Sequence, residues 1–233
     1  MKRSTLFITS MLLVVLTGCS AVSGNEKNNS NITEGYEKEE TAKVYDVSTE
    51  ETQNENDRID SVVIAENTWA YDVMDPFVVM EHSDYFFKVR VKTKEKTKYF
   101  IKNTTMPCST YNLEVLDVLQ NDDGIVSKNI KLAVNGGLVS MQEYVDSMDE
   151  ETKQKTKTDK LTKKELKETV LIKDDAYYEL QQGQEYYILV RDLTKDENYK
   201  GYYGMPVGGY GVFEEKDGAY INVLTDCIFD IQK

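Results

Sequence analysis

Apolar and polar residues alternate at a period of two through much of the chain, the repeat of a strand with one buried face. Tyr85, Phe87, Val89 and Val91 alternate with Phe86, Lys88, Arg90 and Lys92, which predicts a strand over Tyr85–Lys92. Thr93 to Lys98 reads as a polar reversal, with Tyr99-Phe100-Ile101 returning as a second arm. Within Thr110 to Leu119, Tyr111, Leu113 and Val115 share one face, then Leu116 and Val118 take the opposite phase. A switch inside one strand predicts a β-bulge or bend of the kind a closing barrel needs. Asn121 to Gly124 is a turn without EF-hand spacing, and Ile130, Leu132 and Val134 form the next strand, ended by Asn135-Gly136-Gly137. Ser61–Ala65 and Phe77–Met80 are shorter β-like runs on either side of a turn segment, Trp69 to Pro76.

The period then changes. Ser140 and Glu143 have the spacing of a capping box, and Val139, Met141, Tyr144, Val145 and Met148 recur at helical intervals, predicting a short helix. Asp149 to Lys160 is a charged connector without apolar period, and Thr162 to Val170 offers a further helical turn or two. Strand character resumes at Ala176–Leu180 and at Tyr186–Val190, a central strand. Val212–Glu215 and Ala219–Leu224 flank Lys216-Asp217-Gly218, a hairpin signal. Strands thus precede and follow one helical insert with no β-α-β alternation. The expected fold is mainly β: a small, mostly antiparallel OB-like barrel over residues 58–233 with the helix between its third and fourth strands, and a two-sheet sandwich as the alternative.

Ahead of this domain, Lys2 and Arg3 precede an apolar run from Leu6 to Leu16, too short to span a bilayer. Leu16-Thr17-Gly18-Cys19 resembles the lipobox of bacterial lipoproteins. That resemblance implies a signal peptide over residues 1–18, lipidation of Cys19, and a membrane partner: a domain held on the outer face of the bacterial cytoplasmic membrane. Ser20 to Asp57 is polar and acidic with scattered apolar residues, the composition of a disordered tether. Its 38 residues would span roughly 35 Å as a coil.

A second resemblance covers roughly Asp60 to Leu224. Tyr111-Asn112-Leu113-Glu114-Val115-Leu116, Asn135-Gly136-Gly137, Gly183 to Val190 and Gly208 to Phe213 are similar to uncharacterised exported lipoproteins of Gram-positive bacteria. These are thought to hold an OB-like barrel resembling netrin and tissue-inhibitor-of-metalloproteinase modules. The netrin cysteine pattern is absent, so no inhibitory role carries over.

Charge and inventory narrow the chemistry. The whole chain carries -13, an unfavourable balance for nucleic-acid binding. With Cys19 set aside, Cys108 and Cys227 remain: either bonded, which would stabilise by about 4 to 5 kcal/mol on the chain-entropy model, or buried separately as thiols. His82 is the single histidine, and its neighbours Ser83 and Asp84 do not form a triad with it. No metal site, cofactor or catalytic residue is expected. Lys88, Arg90, Lys92, Lys94, Lys96 and Lys98, with only Glu95 opposing nearby, form a ribbon able to meet anionic wall polymer. Its plainer role is a solvated edge. Tyr199, Tyr202, Tyr203 and Tyr210 lie in a glycine-rich loop suited to recognising an envelope protein, or to packing. The functional expectation is a lipid-anchored extracytoplasmic binding module. The competing class is an envelope hydrolase using surface carboxylates.

Overall fold

The computed structural model describes residues 44–45, 58–121 and 126–229. The strands in chain order are β1 (Val44–Tyr45), β2 (Ser61–Ile64), β3 (Tyr85–Lys98), β4 (Cys108–Asn121), β5 (Asn129–Asn135), β6 (Gly137–Ser140), β7 (Thr169–Lys173), β8 (Glu185–Asp192), β9 (Tyr203–Gly204), β10 (Val212–Lys216), β11 (Ala219–Asn222) and β12 (Ile228–Phe229). Three helices accompany them: α1 (Pro76–Glu81), α2 (Met141–Asp146) and α3 (Glu150–Thr156).

Five strands close on themselves. β3 pairs antiparallel with β4 and β8, and β4 with β5. The two-residue β9 spans the remaining gap, parallel to β5 and antiparallel to β8. Three strands, a helical insert and two more strands therefore build a ring in the order β3-β4-β5-β9-β8. This is the OB-like barrel expected from the sequence. Phe87, Val89, Tyr111, Leu113, Leu132, Tyr186, Ile188 and Val190 fill it.

The phase switch in β4 is a pair of bulges. Phe87 faces Val118 and Val89 faces Val115, so the β3–β4 register skips Leu116 and Leu119. Leu116 is left exposed while Val115 and Val118 both pack on the barrel core. The extra residues bend the strand so that one long hairpin can wrap the ring. Thr93 to Lys98 continues β3 to its end instead of reversing, and Tyr99 to Ile101 pairs with no strand among the described residues. Thr110 ties the extension down by donating to the Lys96 carbonyl at 3.0 Å.

β8 is buried on both faces over Tyr186–Val190, whereas β3 keeps the one buried face expected of it except at Phe86, which is buried on the other side. Outside the barrel, β10, β11 and β12 extend the sheet from β8. Phe86, Tyr187, Leu189, Phe213 and Phe229 form a second core there, with Val79 of α1 and the partly buried Trp69 and Tyr210 against it. Phe77 to Met80 is helical in spite of its β-branched pair. Asp75 accepts from the Phe77 N–H at 2.9 Å and Pro76 opens the helix. The predicted hairpin joins β10 to β11, with Asp217 (φ 54) and Gly218 (φ 82) in the left-handed region its tight turn requires.

A smaller sheet, β1-β2-β7-β6, stands beside the barrel. β5 passes into it through Gly136 (φ 92), where a Cβ would lie 2.5 Å from the Tyr177 ring and 2.9 Å from the Ile172 carbonyl. α2 packs Met141, Tyr144 and Val145 against Val63, Val139, Val170 and Ile172. Its predicted capping box is present in full: Ser140 Oγ accepts from the Glu143 N–H, and the Glu143 carboxylate accepts from the Ser140 N–H at 3.0 Å.

Four further expectations are corrected. The connector after α2 contains α3, which buries no residue and so shows no apolar period. The last residues of the segment expected as helical, Thr169 and Val170, open strand β7. Ala176–Leu180 forms no strand. Val44–Tyr45, inside the expected tether, pairs with β2 because these two β-formers can cover its open edge. The expected signal segment with Cys19, the remainder of the expected tether and residues 122–125 of the expected turn lie outside the described residues. No helix among the described residues is long and apolar enough to cross a membrane.

Candidate functional site

The two connections that meet at one rim of the barrel are residues 99–107, between β3 and β4, and residues 193–202, between β8 and β9. The second loop is shaped by its own carboxylates. Asp192 accepts from the Thr194 N–H (2.8 Å) and hydroxyl (2.6 Å), and Asp196 from the N–H groups of Asn198 (2.8 Å) and Tyr199 (3.1 Å). The Gly201 N–H then donates back to the Thr194 carbonyl at 3.0 Å. This fold of the loop carries Tyr199 onto Phe100, with the rings stacked at 4.8 Å and 21°. Tyr202 meets the edge of the same Phe100 at 4.9 Å and 73°.

Beneath these rings Cys108 is 3% exposed, with its Sγ 3.6 Å from Asn135 Oδ1. Burial pushes its thiol up to about 11, and burial also raises the Tyr199 phenol to about 12. Both groups are therefore held in their protonated forms at neutral pH. On the other flank, the Tyr202 hydroxyl accepts from Lys98 Nζ at 2.8 Å. The ammonium groups of Lys98 and Lys131 stand 5.3 and 5.7 Å from the Tyr202 ring centre, within cation–π range.

A hollow of about 190 Å³ opens here, lined by Phe100, Ile101, Thr104, Met106, Asn135 and Tyr199. It is smaller than a site for a drug-sized ligand, but a cavity of about 150 Å³ holds benzene. One ring or one large side chain fits. A second hollow, beside Tyr210 and Cys227, measures about 10 Å³, room for at most one water. Neither is lined by an aspartate or glutamate.

The tyrosines expected to act as one loop are divided. Tyr199 and Tyr202 belong to the rim. Tyr203 packs against Tyr85 (5.8 Å) and Phe87 (5.9 Å) at the barrel core, and Tyr210 meets Trp69 edge-on at 6.3 Å in the second core.

The cationic ribbon is corrected more sharply. Lys88 pairs with Glu185 (3.5 Å) and Glu215 (3.9 Å), and Arg90 with Glu185 (2.5 Å) and Glu114 (3.5 Å). Lys92 reaches Glu114 at 3.7 Å, Lys94 reaches Glu179 at 2.5 Å, and Lys96 reaches Glu143 at 2.8 Å. Lys98 has Glu95 at 3.8 Å as well as Tyr202. All six cations have a carboxylate: for five of them neighbouring strands, α2 and the segment before β8 bring acids distant in sequence alongside β3, and Lys98 has Glu95 of its own strand. Those acids are committed too. Hydrogen bonding to Lys128 and the nearby Lys92 and Arg90 holds Glu114 below the usual carboxylate range, and Arg90 does the same for Glu185.

The cysteines do not pair. Cys108 is a buried free thiol and Cys227 an exposed one. Cys108 opens β4, while Cys227 precedes β12, with β11, β10, β8 and β3 lying between those two strands in the sheet order. His82 caps the end of α1 and stacks on Tyr71 at 4.0 Å. Among the described residues no group of three or more histidine, cysteine or acidic side chains is placed to hold a metal ion.

Sequence reasoning missed Phe100, Ile101, Met106 and Asn135 as site residues. Their signal was the apolar pair Phe100-Ile101 stranded among polar residues just past a long strand. No protein-family profile, curated protein or solved structure matches this chain. The class defined by fold and rim is an OB-like barrel with an aromatic hollow between its first and fourth connections.

Proposed function

We propose that the chain is an extracytoplasmic binding module, anchored by a lipid on Cys19 and without catalysis, that captures an envelope protein through the barrel rim. The observation that carries this is the 190 Å³ hollow under the stacked Phe100 and Tyr199 rings. Barrels of this topology use the corresponding loops for ligands, a fold-level analogy that the hollow makes specific. Its walls are mainly apolar, with Asn135 and Thr104 supplying polar groups and no charge. That lining suits a buried apolar side chain better than a charged polymer. The pairing of the β3 cations counts against the polymer, and the absence of a carboxylate from either hollow counts against the hydrolase reading.

The test compares binding of the lipid-free chain to isolated cell envelopes before and after protease treatment. Binding should vanish with protease, and Phe100→Ala should weaken it by roughly 30-fold, the effect of losing a hot-spot anchor. Binding that survives protease, or ignores Phe100→Ala, would sink the proposal.

A further inference from the structure

The cations with no partner are not on β3. Lys157, Lys160, Lys163, Lys164 and Lys167 follow one another through the segment after α3, all are exposed, and none has a carboxylate within ion-pair distance among the described residues. Lys153 and Lys155, just before them, pair with Glu150 and Glu151 at 2.7 and 2.8 Å. Only Asp159 and Glu165 interrupt the run. The Glu165 carboxylate is turned back to the Thr162 N–H at 2.6 Å, and the Glu165 N–H returns to Thr162 Oγ1 at 3.3 Å.

This segment is a fixed platform, not a loose tail. Leu161 and Leu166 pack on the core beneath α2. The Thr156 and Thr158 hydroxyls point to the buried Met148 sulfur at 3.9 and 3.7 Å. Lys157 takes the left-handed conformation (φ 57) that closes α3, its N–H donating to the Gln154 and Lys153 carbonyls.

We infer that this platform is a docking surface for the anionic phosphate headgroups of a phospholipid bilayer. Lysine ammonium groups are compact charges suited to phosphate, and a cluster of this size beside a membrane is attracted to anionic lipid without inserting apolar residues. Lysines already neutralised, as on β3, would have to give up their carboxylates first. The unpaired ones have only counterions to release. The inference rests on the anchored reading only for nearness to the bilayer, and its test needs no anchor.

The chain from Ser20 to Lys233 keeps the whole compact unit Glu40–Lys233 and is sedimented with vesicles of phosphatidylcholine alone or mixed with phosphatidylglycerol. Binding should require phosphatidylglycerol and disappear in high salt. The triple variant Lys160→Gln, Lys163→Gln, Lys164→Gln should weaken it about fivefold per lysine, on the order of 100-fold together. A control with the same charge change, Lys195→Gln, Lys200→Gln, Lys216→Gln, should lose far less. None of the six lysines makes an ion pair, so unchanged unfolding midpoints would show both variants folded. Equal binding to both vesicle types, equal loss in the two variants, or capture by soluble polyphosphate without vesicle binding would each overturn the inference. The last result would assign the surface to a free polyanion.

Discussion

Six cations on β3 and five lysines between Lys157 and Lys167 look alike as letters, and the fold treats them in opposite ways. Along β3 a register shift between Val91 and Thr93 changes the face, so that Arg90 lies opposite Glu114 and Lys94 opposite Tyr111; β4, β8, α2 and the segment before β8 nevertheless bring Glu114, Glu185, Glu143 and Glu179 to these cations. The result is a surface close to neutral. Past α3 no strand lies alongside to supply acids, and Lys157, Lys160, Lys163, Lys164 and Lys167 stay without an ion pair among the described residues. A charge run acquires meaning from what tertiary structure places opposite it.

The contrast extends to stability, and the most forceful way to break it is to cut into each region. Phe87 lies on β3 at 0% exposure, between the Tyr85 and Tyr203 rings at 5.0 and 5.9 Å. Phe87→Ala should cost about 3–5 kcal/mol in urea unfolding. Lys163→Ala, on the insert, should fall within about 0.5 kcal/mol of the parent. Comparable losses would show that the insert lysines serve the fold and not a surface.

The same asymmetry explains what was legible in the sequence. The barrel strands were readable because each alternates or buries continuously over many residues. Even the β4 bulge announced itself as a phase switch between Val115 and Leu116. The smaller sheet was partly hidden. β2 was seen as the short run Ser61–Ala65, but β7, whose burial alternates, carries the apolar Leu171 between Val170 and Ile172 and so shows no clean period in sequence. α3 buries nothing and carries no period at all. The site was half legible. Tyr199 and Tyr202 were found by composition, whereas Phe100, Met106 and Asn135 come from three separate positions that only barrel closure brings together. The ion pairs of β3 were illegible for the same reason: Lys94 and Glu179 lie 85 residues apart.

The two regions touch through Lys96 and Glu143, and loosening that join gives a smaller effect. Ser140→Ala removes the acceptor for the Glu143 N–H at 3.2 Å and should cost about 1 kcal/mol. Glu143 itself adds a pH signature. Its hydrogen bond from Lys96, and then that from the Ser140 N–H, hold the carboxyl below its usual value. A depressed folded-state value stabilises fully above the unfolded value, near 4.3, and the benefit is lost as pH falls through the folded one. The stability difference between the parent and Glu143→Gln should therefore be constant from neutral pH to about 5, then shrink on further acidification. A difference that grew at low pH would show that the carboxylate is not stabilised where the geometry puts it.

The smallest effect tests whether the pairing on β3 matters for folding or only for surface charge. Lys94 and Glu179 meet at 2.5 Å with 27% and 40% of their side chains exposed. Solvent screens such a pair, and holding two long side chains together costs entropy, so a double-mutant cycle should return a coupling of about 0.2–1 kcal/mol. Raising the salt should shrink it further. The pairing then does little to hold the strand in place, since the ladder and the buried Phe87, Val89 and Val91 already do that. Its effect is to leave no free ammonium on β3 for a polyanion to claim. If the coupling instead exceeded about 2 kcal/mol, well above the exposed-pair range, the β3 cations would be structural elements of the barrel. The difference between the two regions would then lie in stability as much as in charge.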